Sequence, residues 1–173
     1  PQRATAEFSL QVNPLLAEKW EIQHAHNRIH GVHFFDENRG LAVGWSGLVL
    51  DTDNGGRTWN KTPLGGTALV GLECVGDECW ILTGEFRVYH STNRGVSWEE
   101  IAPLGLLSAQ GFNFFDNQHG WAYGDGIQYT EDGGQSWHTA TTPGGYYLGL
   151  DFGDAMNGFA GGDNVAFVKS TDG

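Results

Sequence analysis

Four groups of side chains in this 173-residue chain have the type and spacing for chemistry. Cys74 and Cys79 lie on what reads as the two arms of a hairpin, around Val75-Gly76-Asp77-Glu78. Facing residues at a non-hydrogen-bonded antiparallel pair stand about 4.5 Å apart at Cα, within reach of a disulfide. The alternative is two small buried thiols in a cytosolic protein. A disulfide across so short a loop is a staple worth about 2 kcal/mol, not a redox centre, and it implies an oxidising compartment. The second group, His24, His26, His30 and His33, crowds one short stretch, and His24-x-His26 would aim two imidazoles to one strand face, as a transition metal requires. No cysteine is near, Gly31 interrupts the set, and Val70, Gln110 and Leu148 stand in the His30 place further along. A polar strand edge is the better reading, and we expect neither metal nor cofactor. The third, Asp51-x-Asp53-Asn54-Gly55, opens like a calcium loop but lacks the later bidentate acid and the flanking helices. The fourth is His33, Glu73, Asn113 and Asp151, each two residues after a glycine in an otherwise apolar run. On innermost strands these would line a central channel; the alternative is a polar position bonded to the neighbouring strand.

The elements that must position these groups are set by a repeat. Trp20, Trp59, Trp98 and Trp137 follow one another at 39 residues, a spacing without slippage that signals a repeat architecture. Three of them close the same pattern: Thr52-x-Asn54-x-Gly56-x-x-Trp59, Ser91-x-Asn93-x-Gly95-x-x-Trp98 and Thr130-x-Asp132-x-Gly134-x-x-Trp137. A further copy begins at Ser170-Thr171-Asp172. The Asp or Asn can accept from backbone N–H groups two residues on, glycine supplies a positive φ, and the tryptophan buries a large ring. Glycines 13 apart (Gly31 and Gly44, Gly71 and Gly84, Gly111 and Gly124, Gly149 and Gly162) bracket alternating apolar stretches that read as strands. With two further short strands and a fourth carrying the tryptophan, each unit makes four strands in about 40 residues, a β-propeller blade.

We therefore expect an all-β chain with an extension at 1–19 and a propeller over 20–173, in units 20–59, 60–98, 99–137 and 138–173, the last incomplete. The interrupted motif at Ser170 suggests a larger propeller. Alternatively, Trp20 supplies the outer strand of the last unit and closes a four-bladed ring. The net charge is −12 with nine Lys plus Arg, which argues against sequence-neutral nucleic-acid binding. No apolar run approaches the length of a membrane span. The chain starts at Pro1 rather than Met, as a processed or trimmed product would.

The tryptophan-closed turn resembles the Asp-box, or bacterial neuraminidase, repeat. Sialidases and some endoglucanases carry it, on the rim away from their active sites, so an Asp-box enzyme or glycan-binding module is the alternative function. A sialidase-like site needs converging arginines and a tyrosine–glutamate pair. Of Arg3, Arg28, Arg39, Arg57, Arg87 and Arg94, none repeats at an inner-strand position. Phe34-Phe35-Asp36 with Gly40-Leu41-Ala42-Val43-Gly44, Phe114-Phe115-Asp116 with Gly120-Trp121-Ala122-Tyr123-Gly124, and Trp20-Glu21-Ile22 are similar to the photosystem II stability/assembly factor family and its relatives in non-photosynthetic bacteria. That resemblance implies a non-enzymatic, extracytoplasmic, seven-bladed propeller that binds a protein partner in a membrane or cell-envelope complex. The sequence has about four repeats and no marked basic patch.

Overall fold

The computed structural model describes residues 28–154, 156–163 and 165–171, with backbone only for Val165 and Ala166. Trp20, His24, His26 and Asp172, and the 1–19 extension, lie outside the described residues. Among the described residues, fifteen strands form four antiparallel sheets. Sheet 1 is β1 (Ile29–Phe34), β2 (Gly40–Gly44), β3 (Leu48–Thr52) and β4 (Asn60–Pro63). Sheet 2 is β5 (Leu69–Val75), β6 (Glu78–Thr83), β7 (Val88–Ser91) and β8 (Glu99–Ile101). Sheet 3 is β9 (Ala109–Phe114), β10 (Gly120–Gly124), β11 (Ile127–Thr130) and β12 (His138–Thr139). Sheet 4 is β13 (Tyr146–Phe152), β14 (Gly158–Asp163) and β15 (Val165–Ser170). Every sheet is a simple up-and-down meander, and the only helical turn described is a single 3₁₀ turn at Trp45–Gly47. These are β-propeller blades.

The first strand of each sheet is innermost, and these strands pack side by side in the order β1, β5, β9, β13. The row is open: sheet 1 and sheet 4 are not among the packed inner pairs. The periodic glycines explain the close approach. A Cβ on Gly31 would come within 2.7 Å of the Leu72 Cβ, and one on Gly71 within 2.7 Å of the Phe112 ring, so only glycine lets neighbouring inner strands meet.

Apolar clusters fill the spaces between sheets. Trp80, fully buried, stacks on Phe114 of the next sheet with centroids 3.8 Å apart, and Trp121 stacks on Phe152 at 3.6 Å. Such rings bury the largest apolar area that a short strand can offer. Trp59, Trp98 and Trp137 stand one residue ahead of the outer strand rather than inside it and are half-buried, Trp98 and Trp137 in clusters shared with the preceding sheet. Trp59 meets Phe34 edge-on at 6.0 Å, and Trp137 meets Phe114 at 6.1 Å.

Candidate functional site

The Asp-box residues build one hydrogen-bond network three times. The Thr52 hydroxyl accepts from Gly56 N at 3.0 Å and donates to Asn54 Oδ1 at 3.1 Å, while Asn54 Oδ1 accepts from Thr58 N at 3.0 Å. Ser91, Asn93, Gly95 and Ser97 repeat these bonds at 2.9–3.0 Å, and Thr130, Asp132, Gly134 and Ser136 at 2.8–2.9 Å. The side-chain oxygen of the Asn or Asp therefore reaches the amide four residues on, not two. Two consecutive positive-φ residues make room for this loop, and Arg94 takes the first of these places where the other copies use Gly55 and Gly133. The amide at that place donates to the first hairpin of its own sheet: Gly55 to Asn38 O, Arg94 to Asp77 O and Gly133 to Gln118 O, at 2.8–2.9 Å. Ser170 ends β15 at the matching position. The Asp-box residues thus lock two turns together along one rim of the disc.

Those first hairpins come in two designs. In sheets 1, 3 and 4 an aspartate caps the turn: Asp36, Asp116 and Asp154 each accept two backbone N–H bonds at 2.7–2.8 Å. In sheet 2 a tight turn carries no such cap, and Cys74 and Cys79, paired directly across β5 and β6, form a disulfide with Cα atoms 4.1 Å apart. The staple stands where its neighbours have a capped loop.

The inner strands bring Glu73, Asn113 and Asp151 to one cleft of about 260 Å³, with Phe115 and Phe152 in its wall. His33 is not part of it and packs edge-on against Phe35 at 4.8 Å. Asn113 reaches the neighbouring inner strand, its Nδ2 donating to Leu150 O at 2.9 Å, so at this residue the position is both cleft-lining and strand-bonded. Burial raises the pKa of the Glu73 carboxyl, because its charged form loses water. The Tyr123 hydroxyl is raised by burial and then by the Glu73 charge. Burial lowers the pKa of His33.

The arginines stay apart among the described residues. Arg87 pairs with Glu100 at 3.1 Å, Arg94 with Asp77 at 2.6 Å, and Arg28 lies over the Trp45 ring at 4.7 Å. No group of three or more His, Cys, Asp or Glu among the described residues is placed to hold a metal ion. His30 stacks on Trp45.

One set of positions escapes the sequence reading. Each inner strand carries a bulge just before its first glycine, at His30, Val70, Gln110 and Leu148. A bulge re-aims the unpaired side chain out of the ladder. Gln110 thereby reaches the Tyr146 hydroxyl, which also contacts Ser108 Oγ at 2.7 Å. The signal was present: four chemically unrelated residues precede a repeated glycine.

Comparison with known proteins follows the same lines. The family model described as "Photosynthesis system II assembly factor YCF48" matches residues 12–110, more than half of the chain. The chain is 29% identical over 130 residues to a protein of Synechococcus sp. (strain CC9902) named "Photosystem II assembly lipoprotein Ycf48", covering 64% of this chain and 36% of that protein. It therefore spans about a third of the length of that curated relative. A solved structure titled "YCF48 bound to D1 peptide" superposes with a TM-score of 0.65 at 20% identity, over 83% of this chain and 53% of that one. An ancestral GH74 enzyme, AFV00434, superposes with a TM-score of 0.62 at 14% identity, over 77% of this chain and 22% of that one. At such identities both likenesses concern the fold alone.

Proposed function

The chain belongs to the family described as Photosynthesis system II assembly factor YCF48, and from that premise we propose that it is a non-catalytic, protein-binding propeller serving the assembly of a membrane-protein complex from the extracytoplasmic side. The observation that carries this reading is the division of the repeat into two kinds of position. Thr/Ser, Asn/Asp and Gly of the Asp boxes are spent on one another, whereas the polar inner-strand positions differ from sheet to sheet and three of them share a cleft. A rigid frame with independently varied surface positions suits recognition of a protein segment. The cleft, with Glu73 and Asp151 beside Asn113 and the exposed Phe115, suits a peptide offering N–H or cationic donors and one apolar side chain. The family's D1-bound member makes a D1-type peptide the first ligand to try. The Cys74–Cys79 disulfide and the lipoprotein name of the relative both support an extracytoplasmic location.

Absence of catalysis is part of the proposal. The arginines that a sialidase-like site would converge are separately engaged by Glu100, Asp77 and Trp45, and the likeness to a GH74 enzyme is one of fold. The test is affinity purification of the chain from its native membranes. Recovery with a membrane-protein complex supports the reading; recovery alone, with hydrolysis of a sialoside or β-glucan, overturns it.

A further inference from the structure

Sheet 2 departs from its neighbours at three positions that lie together on the Asp-box rim. The first is its hairpin. The turn between the two innermost strands has five residues in sheet 1, at 35–39, and five in sheet 3, at 115–119, but only Gly76 and Asp77 in sheet 2. The longer turns lean over the Asp-box turn of their own sheet: a Cβ on Gly55 would come within 2.9 Å of Glu37 O, and one on Gly133 within 2.8 Å of Asn117 O. The short turn leaves that space free, and a Cβ on Gly76 would meet nothing within 4 Å. The second departure uses the room. Arg94 stands where Gly55 and Gly133 stand, at a φ of 57° that disfavours any side chain. The third is Val96, 67% exposed, at the place that Arg57 and Gln135 hold in the other boxes.

Together these changes cut a notch in the rim. Sheet 2 packs between sheets 1 and 3 through their inner strands, so the longer turns of those sheets flank it, and the Cys74–Cys79 disulfide holds its floor. On one flank Arg94 Cζ lies 5.5 Å from the Phe35 ring, while its Nε and Nη1 face Asp77 at 2.6 Å and Asp36 at 3.7 Å. On the other, Asn117 Nδ2 donates to Glu78 Oε1 at 2.9 Å, and Glu78 Oε2 meets His90 Nε2 at 2.8 Å. The carboxylates of the notch are therefore already engaged. Open to a partner are the Phe35 and Phe115 rings, Val96, and Arg94 Nη2, which takes no bond among the described residues. The inner end of the notch is the cleft: Phe115 lines both, and Glu73 precedes Gly76 by three residues on the same hairpin arm.

We propose, from the reading of the cleft as a peptide site, that the segment held there runs outward through this notch in extended form. It crosses Gly76, follows Arg94 and sets an apolar side chain on Val96. The chemistry of the notch specifies the partner. The stretch that crosses the rim is uncharged, because every carboxylate it passes already has a partner and a buried charge without one is costly. It offers a backbone carbonyl to the remaining Arg94 donors, and an aliphatic or aromatic residue beyond it. Asn93 takes no direct part. Its side chain bonds to Ser91 and Ser97, and the bonds from Gly95 N to Ser91 Oγ and from Arg94 N to Asp77 O hold the two presented positions without it.

The test is binding to a surface-held D1-type peptide, with the melting temperature of each variant recorded. Replacing Gly76-Asp77 by a copy of residues 35–39, together with Arg94→Gly to make room, gives sheet 2 the rim of its neighbours and should weaken binding about tenfold or more. Val96→Gln, which copies Gln135 at an exposed position, should melt with the parent and bind about threefold more weakly. It decides alone if the chain with the longer turn does not fold. Parent-like binding by the folded notch variants, beside weakened binding by Glu73→Gln with Asp151→Asn, would overturn the notch and leave the cleft standing. Weakening by the notch variants with that cleft pair at parent affinity would overturn the cleft reading, and with it the continuous path. A parent chain that does not bind the peptide would overturn both.

Discussion

The Asp-box rim and the inner-strand cleft are built from the same repeat, yet they use it in opposite ways. On the rim the same three side chains recur and bond to one another, so that Thr52, Ser91 and Thr130 each accept an amide from a glycine four residues on. In the cleft the matching positions hold Glu73, Asn113 and Asp151, only one of which is tied to a neighbouring strand. Repetition marks what the frame needs, and variation within the repeat marks what the frame is free to present.

The comparison breaks first at the sheet interfaces. Trp80→Ala should be the most damaging single change, about 4–5 kcal/mol in denaturant melts, because it removes a fully buried ring stacked on Phe114 and orphans the Gly133 carbonyl. Trp98→Ala, at a half-buried rim position, should cost about 3 kcal/mol. Asn93→Ala should cost about 1–2 kcal/mol, since it frees the Ser97 amide and the Ser91 hydroxyl. Melts in which both rim variants match the parent would mean that the rim is ornamental.

Two smaller effects sharpen the contrast through pH. Glu73 in the cleft has a folded-state pKa raised above its usual 4.5 by burial. Its contribution is fully favourable below that value and is lost as pH rises through the folded pKa. Glu73→Gln should therefore stabilise the protein at neutral pH, and the gain should vanish below about pH 4.5. Asp132 on the rim behaves oppositely. Burial alone would raise its pKa, but bonds from the Ser136 side chain and backbone and from Thr130 bring it below the usual 3.8. Its stabilisation is present above that value and lost as pH falls through the folded pKa. Asp132→Asn, which copies the first two boxes, should flatten the acid limb of a thermal-melt series and leave neutral stability nearly unchanged.

Much of the frame was legible in the sequence, because a period of 39 and glycines 13 apart leave few ways to fold. The Cys74–Cys79 bond was legible too, from two cysteines on facing arms of one hairpin. The reach of the Asp-box side chain was misjudged: two successive positive-φ residues fold the turn tightly enough for Asn54 to meet Thr58 rather than Gly56. The inner-strand bulges were hidden because a bulge is a register shift between strands, and one strand's sequence does not carry its partner's register. The cleft was half legible: the four polar positions could be named, but His33 lies outside the cleft and packs edge-on against Phe35, and a shared place in the repeat does not say which neighbouring strands converge.

The most direct measurement sets the two regions against each other in one binding experiment. A D1-type peptide on a surface would be titrated with the parent chain, with Asn93→Ala, and with the isosteric pair Glu73→Gln and Asp151→Asn, each with its melting temperature recorded. The account predicts that the rim variant melts earlier yet binds like the parent, and that the cleft variant melts no earlier yet binds at least about tenfold more weakly. Binding unaffected by the cleft pair, or lost with Asn93→Ala in chain that is still folded, would contradict it.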